Sequence, residues 1–243
     1  RLVVTGNTGG QYLVLAGANT YSGGTTVSGP PALMVSSDGA LGSATGGITL
    51  ENLGTLRFGA SFDLASTRAI TIGSGGGRIN TNGFDTTISQ SITGTGFLEK
   101  EGAGTLTFAA ANSFSSLSVS GGVLVVSANN QLGAGTSAVS LRNNATLRTA
   151  SSFSVGRFLG LSVGGGTVDV TDAAATLTWG SEVYGSGTLT KAGAGKLSLI
   201  GINSFTGATA ITGGTLAIAG NAGLGNANNG VTFGGGTLQF LNS

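Results

Sequence analysis

Few side chains in this sequence could do chemistry. There is no His and no Cys among the 243 residues. Ser-His-Asp and Cys-His nucleophiles and His-ligated metal sites are therefore excluded within the chain. What is left is nine carboxylates and ten basic residues. The closest acidic groupings are Glu99 with Glu101 and Asp169 with Asp172. In a strand, Glu99 and Glu101 share a face and flank Lys100, a spacing that could serve general acid–base chemistry. The positions 91 residues later are Thr190 and Ala192, whereas Lys100 recurs as Lys191. The lysine thus belongs to a repeated pattern and the acids do not, so the pair reads as a solvated charged corner. Asp169 and Asp172 could hold Ca²⁺, but the Gly-Gly-x-Gly-x-Asp calcium-solenoid repeat is absent. No catalytic, cofactor-binding or metal-binding residue is assigned.

The glycine-rich loops do not complete a phosphate cradle. GAGK at Gly193–Lys196 continues with Leu197 rather than Ser or Thr, and Thr190 stands where the first glycine of such a loop would be. A net charge of +1 leaves no footprint for nucleic acid, and no apolar run approaches the roughly 18 residues of a membrane helix. Thr-x-Thr pairs at Thr105/Thr107, Thr176/Thr178 and Thr188/Thr190 suggest an ice-binding ladder. Arg57, Arg78 and Glu99, expected in related outward places, interrupt it.

These residues must be positioned by something, and the repeats say what. Residues 13–42 read LVLAGANTYSGGTTVSGPPALMVSSDGALG, with further copies at 106–133 and 197–225. Asn19, Asn112 and Asn203 head the three copies, each followed two residues later by Tyr21, Phe114 or Phe205. The super-repeats run approximately 13–105, 106–196 and 197–243, the last incomplete. Inside them a Leu-x-apolar strand recurs, beginning at Leu33, Leu56, Ile79, Leu98, Leu124, Leu147, Val168, Leu189, Leu216 and Leu238. The mean step is about 23 residues, four to a super-repeat.

Short alternating runs bounded by Gly, Ser or Asn read as strands, and 47 glycines argue against helix. A unit of this length cannot bury a face alone; stacked turn upon turn, it can. The expected fold is all-β, a parallel β-helix of ten to eleven coils in one continuous segment. At about 4.8 Å per strand this would make a rod of roughly 50 Å. Leu33 and Val35, Leu56 and Phe58, Leu124 and Val126, Leu216 and Ile218, and Leu238 and Phe240 would stack inward as columns. Gly121-Gly122 and Gly213-Gly214 precede strands at corners that need positive φ. Pro30-Pro31 adds a residue to one corner, read as a surface loop variation. The repeated Asn is expected to bond local backbone and the ring beside it to enter the core. Arg1 stands in place of an initiator Met and the last super-repeat is unfinished, so a piece of a longer chain is expected, or a subunit covered at its ends by other copies.

The third copy carries the fullest motif: Gly185, Gly187, Leu189, Lys191, Gly193, Gly195, Leu197, Leu199, Gly201, Asn203, Phe205, Gly207, Thr209, Ile211, Gly213, Gly214, Leu216, Leu224 and Gly225. The second has Ala110 for the glycine before Asn112 and is one residue short after Phe114. The first keeps Gly23 but lacks the lysine. This string resembles the autotransporter-associated β-strand, or passenger-associated transport, repeat. The resemblance implies a right-handed β-helix in a cysteine-poor surface protein of a Gram-negative bacterium, carried out through an outer-membrane β-barrel that this stretch does not contain. It implies no catalytic residues and no cofactor.

The expected role is a non-enzymatic extracellular stalk or adhesin region. Its partners would be a receptor or glycan on a host or neighbouring cell, with end-to-end self-association as a further contact. The alternative is a self-assembling subunit of an extracellular filament or sheath. A polysaccharide-degrading enzyme is the remote one.

Overall fold

The computed structural model describes residues 1–6, 10–134 and 137–241. It is a parallel β-solenoid of about eleven turns, spaced about 22 residues apart, close to the expected period. Two compact units divide it: Arg1–Ser118 with Asn130–Gly135, and Val119–Asn129 with Thr136–Ser243.

In the first unit, one sheet stacks Leu2–Thr5, Thr25–Ser28, Ile48–Glu51, Ile70–Ile72 and Ile92–Gly94. A second stacks Tyr12–Leu15, Ala32–Val35, Gly54–Phe58, Gly77–Asn80 and Leu98–Glu101. Thr86–Ile88 pairs with Thr105–Phe108 on a third side. Pairing is parallel and in register, as in Ile48↔Ile70 and Leu33↔Leu56. Alternation then sets the core. Ile70 and Ile72 are buried while Thr71 between them faces water.

The second unit has three sheets. One runs Val123–Val125, Ala145–Thr149, Gly166–Val170, Leu189–Ala192, Thr209–Ile211 and Val231–Phe233. Another holds Val139–Leu141, Leu159–Leu161 and Val183–Gly185. The third holds Phe153–Val155, Thr176–Trp179, Lys196–Leu199, Thr215–Ile218 and Thr237–Phe240. The expectation of one Leu-x-apolar column fails here in an informative way. Leu124, Leu147, Val168 and Leu189 share a sheet, but Leu216 and Leu238 lie in its neighbour. Four turns lead from Val123 to Thr209 in the same sheet; Thr215 begins the next strand, on the next side. A motif copy therefore returns after four turns and one further side, because the turn is shorter than the expected 23 residues.

The inward residues are buried as expected from Leu33 through Ile218. The last pair differs: Leu238 is only partly buried and Phe240 is 57% exposed. It lies on the last described strand, with no further described turn to cover it. Corners vary in residue type. In the second unit the corner held by Gly121-Gly122 is taken one turn on by Asn143-Asn144, both with positive φ (54° and 58°). Asparagine is the non-glycine residue that tolerates this region best.

Candidate functional site

The second and third copies of the repeated motif build a bracket between turns, and the first builds its upper half. Asn112 receives a hydrogen bond from the Ile92 N–H (2.8 Å) and donates one to the Gln131 carbonyl (2.7 Å). Asn203 does likewise, from the Val183 N–H (2.7 Å) and to the Gly223 carbonyl (2.8 Å). Asn19 donates to Ala40 O (2.8 Å) and to Gly17 O (3.3 Å). The expectation of local bonding thus describes only the weaker Asn19 contact. The principal partners lie some 20 residues away in each direction, one turn below and one above. Both buried asparagines have donor and acceptor satisfied, the condition under which a buried amide stabilises.

The upper partner is in each case a short 3-10 helix: Asp38–Leu41, Asn129–Leu132 and Asn221–Leu224. The aromatic of the motif lies beneath its end. Phe114 and Phe205 are fully buried, and Tyr21 is partly so, its hydroxyl 2.8 Å from Thr25 Oγ1. The glycine closing each helix sits on the ring. A Cβ on Gly133 (φ +97°) would stand 2.5 Å from the Phe114 ring, and one on Gly225 (φ +75°) 2.9 Å from that of Phe205. Gly207 is held to glycine by the chain beside it, since a Cβ there would stand 2.2 Å from Gly187 O. Gly23 lies against the Arg1 backbone in the same manner. At the following corner Gly214 has φ +57° and Gly213 stacks on Gly193.

These contacts set the expected effect of removing the bracket. Asn203→Leu leaves the Val183 N–H and the Gly223 carbonyl without partners. About 2 kcal/mol of local stability should be lost, read as faster hydrogen exchange at the Val183 amide. Unchanged protection there would show that the bracket is dispensable.

Lys100 and Lys191 are buried to 0% exposure. Lys100 Nζ donates to Gly102 O (2.6 Å), Thr81 Oγ1 (2.9 Å), Gly104 O (3.1 Å) and Glu101 O (3.3 Å). Lys191 Nζ donates to Ala192 O (2.6 Å), Gly193 O (2.9 Å) and Gly213 O (3.2 Å). The Gly-x-Gly loop after each lysine therefore turns carbonyls inward onto an ammonium. That is the reverse of a phosphate cradle, which presents N–H groups. Burial lowers both lysines from 10.5 to about 8, opposed by the charges of Asp85 and Asp169 respectively.

Two further buried cations escaped the sequence reading. The Arg68 guanidinium, fully buried, pairs with Asp38 through Nε to Oδ1 and Nη2 to Oδ2 (both 2.9 Å). It also reaches Gly46 O (2.6 Å), Leu41 O (3.2 Å) and Gly42 O (3.3 Å), so it gathers the carbonyls at the end of the 3-10 helix. Burial pushes the Asp38 carboxyl up, but the Arg68 hydrogen bond, the Ala65 N–H and the Arg68 charge hold it below its usual 3.8. In the second unit Arg157 reaches Asn129 O (3.4 Å), at the start of the equivalent helix. The signal was present in the sequence: Arg68 and Arg157 stand 89 residues apart, each two residues before a strand.

Three of the four carboxylates singled out above are held in ion pairs. Glu99 is buried rather than solvated, 3.2 Å from Arg78 Nε, and Glu101 lies 3.3 Å from the same atom. Asp169 pairs with Arg148 at 2.8 Å. Asp172 caps its own turn, accepting the Ala174 N–H at 2.9 Å. Arg57, Arg78 and Glu99 do not form one outward line. Register places Arg78 beside Thr55 and Glu99, and Arg57 beside Met34 and Asn80. The two adjacent rows wall a groove of about 200 Å³ on the outer face of the second sheet of the first unit. Gln11, Tyr12, Thr55, Arg57, Arg78, Asn80 and Glu101 line it.

A β-solenoid whose repeated polar side chains are spent on joining one turn to the next defines the class. The passenger-associated-transport-repeat family matches residues 8–29, 98–126 and 189–218, the segments that carry the brackets. A relative, the Adhesin BmaC autotransporter of Brucella suis biovar 1 (strain 1330), is 39% identical over 102 residues. The match covers 42% of this chain and 3% of that protein. No solved structure matches the chain. Three segments of the chain thus match the passenger-associated transport repeat, and the chain spans only a small part of the length of the relative it resembles.

Proposed function

We propose that the chain is a non-enzymatic stretch of an adhesin-type passenger, a solenoid that holds binding surfaces away from the cell that exports it. The observation that carries this reading is the use of the repeated residues. Asn19, Asn112, Asn203, Lys100 and Lys191 all bond backbone of their own or adjacent turns, so the repetition serves cohesion rather than catalysis. The likeness to a protein described as an adhesin supports the same reading. The carboxylates best spaced for catalysis are committed to Arg78 and Arg148. The partner is a receptor or glycan on another cell, and export runs through an outer-membrane β-barrel of the parent protein.

Display of the chain on a non-adherent Gram-negative host, fused to a heterologous barrel, tests this. Adherence to cultured cells should rise several-fold over the barrel alone. No gain would sink the adhesin reading, and turnover of a polyuronate by the purified chain would sink the non-enzymatic one.

A further inference from the structure

The groove of the first unit belongs to none of the repeated brackets. We propose that it binds a sugar residue bearing a carboxylate, such as a uronic or sialic acid. Arg78 is shared by Glu99 and Glu101, and Glu101 is also approached by Asn80 Nδ2 at 3.4 Å. Arg57 is different. Its one hydrogen bond is from Nη2 to Asn82 Oδ1 (2.6 Å), its guanidinium lies 5.4 Å over the Tyr12 ring, and no carboxylate of the described residues pairs with it. Its Nε is buried with no hydrogen-bond partner. The groove thus presents a cation neutralised by nothing but an amide and a ring. A planar fork of this kind recognises carboxylate.

Size and lining select the rest of the ligand. At about 200 Å³ the groove is smaller than the roughly 300 Å³ at which drug-sized pockets begin, and it suits one pyranose ring. Its apolar lining is limited to Gly10, Pro30, Ala32 and the Tyr12 ring. An aliphatic or aromatic peptide side chain would find little to pack against. Gln11 offers a donor and an acceptor. Thr55 Oγ1, which donates to Leu53 O (3.3 Å), and Asn80 Oδ1, which accepts the Asn82 N–H (2.9 Å), keep lone pairs as acceptors. Glu101 adds another, a set that vicinal hydroxyls can meet because each both donates and accepts. Tyr12 is half exposed, so its ring edge is available to the sugar's C–H face. The acid group lies at Arg57 and the hydroxyls point toward Asn80 and Glu101.

The inference supplies a ligand class for the adhesin reading, and its test is independent of cell adhesion. Methyl glucuronide, sialic acid, methyl glucoside and an N-acetyl amino acid are titrated into the purified chain by NMR. At least one acidic sugar should bind about tenfold or more tightly than the glucoside, by virtue of the charged hydrogen bonds. Arg57→Gln should remove that preference, while Lys196→Gln, outside the groove, should leave it. Tyr12→Ala, a second variant far less able to disturb folding, should weaken both sugars together. Failure of both acidic sugars to bind, an undiminished preference in Arg57→Gln, or equal binding of the N-acetyl amino acid would overturn the proposal. A negative result here with positive cell adherence would leave the adhesin reading standing and dismiss only this groove.

Discussion

Arg68→Met should destabilise the turns around it by about 3–5 kcal/mol, the cost of leaving a buried or half-buried charge without its partner. The guanidinium meets both oxygens of Asp38 and the carbonyls of Leu41, Gly42 and Gly46, and methionine can replace none of these donors. Because a solenoid sums local stabilities, the loss should fall on the turns near the Asp38–Leu41 helix, not evenly on the whole chain. Urea titration with hydrogen exchange across residues 38–70 reads it. A loss under 1 kcal/mol would show that water substitutes for the arginine.

The pH dependence follows from Asp38. Its folded pKa is below the unfolded value of 3.8, so the stability it contributes is present above that value and is lost as pH falls through the folded pKa. In Arg68→Met both lowering contributions of Arg68 are gone, leaving burial, which raises the carboxyl's pKa, opposed only by the Ala65 N–H. Acidification from pH 7 toward 4 should therefore narrow the difference between variant and native chain.

Lys100→Met should cost about 2–4 kcal/mol, because Gly102 O, Gly104 O and Thr81 Oγ1 lose a buried donor. Loss of the charge's own desolvation penalty offsets part of this. The alkaline limb carries a distinct signature. Folded Lys100 and Lys191 titrate near 8, against 10.5 unfolded. Between those values the unfolded chain holds protons that the folded chain has released, so these lysines make stability rise with pH. Below pH 8 their penalty is fully present, and above 10.5 the gain is complete. Chemical denaturation from pH 7.5 to 10.5 should show this rise in the native chain and its loss in Lys100→Met/Lys191→Met. Comparing the two chains subtracts every contribution common to both. A parallel rise in both would refute the assignment.

The solenoid was legible because its cause is local: alternating Ile-Thr-Ile or Thr-Leu-Thr-Phe runs between glycines give strands, and their recurrence gives turns. The advance of the motif to the next side was not legible. A return after 91 or 92 residues fits four longer turns as well as four shorter ones and part of a fifth. Only pairing such as Lys191↔Ile211, with Leu216 set against Leu197, separates the two. Arg68 was passed over because an arginine in a polar corner is expected in water, and its burial depends on Asp38 and on carbonyls 22–30 residues earlier. Asn112 and Asn203 were found as residues but assigned the wrong neighbours. Sequence shows which side chain recurs, whereas its partners are set by stacking. The groove was invisible for a similar reason, since Tyr12, Arg57 and Glu101 come together only when five strands are laid side by side.

The asparagine bracket has a mechanical consequence. Ordinary ladder hydrogen bonds join each turn to the next, so a solenoid pulled from one end should peel like a knitted thread. Asn112 joins the turn of Ile92 to that of Gln131, and Asn203 joins that of Val183 to that of Gly223. Each ties three layers in one stitch. Unravelling that reaches such a layer must break bonds on both sides of it together, so the bracket acts as a rip-stop set into the fabric at the second and third copies of the motif.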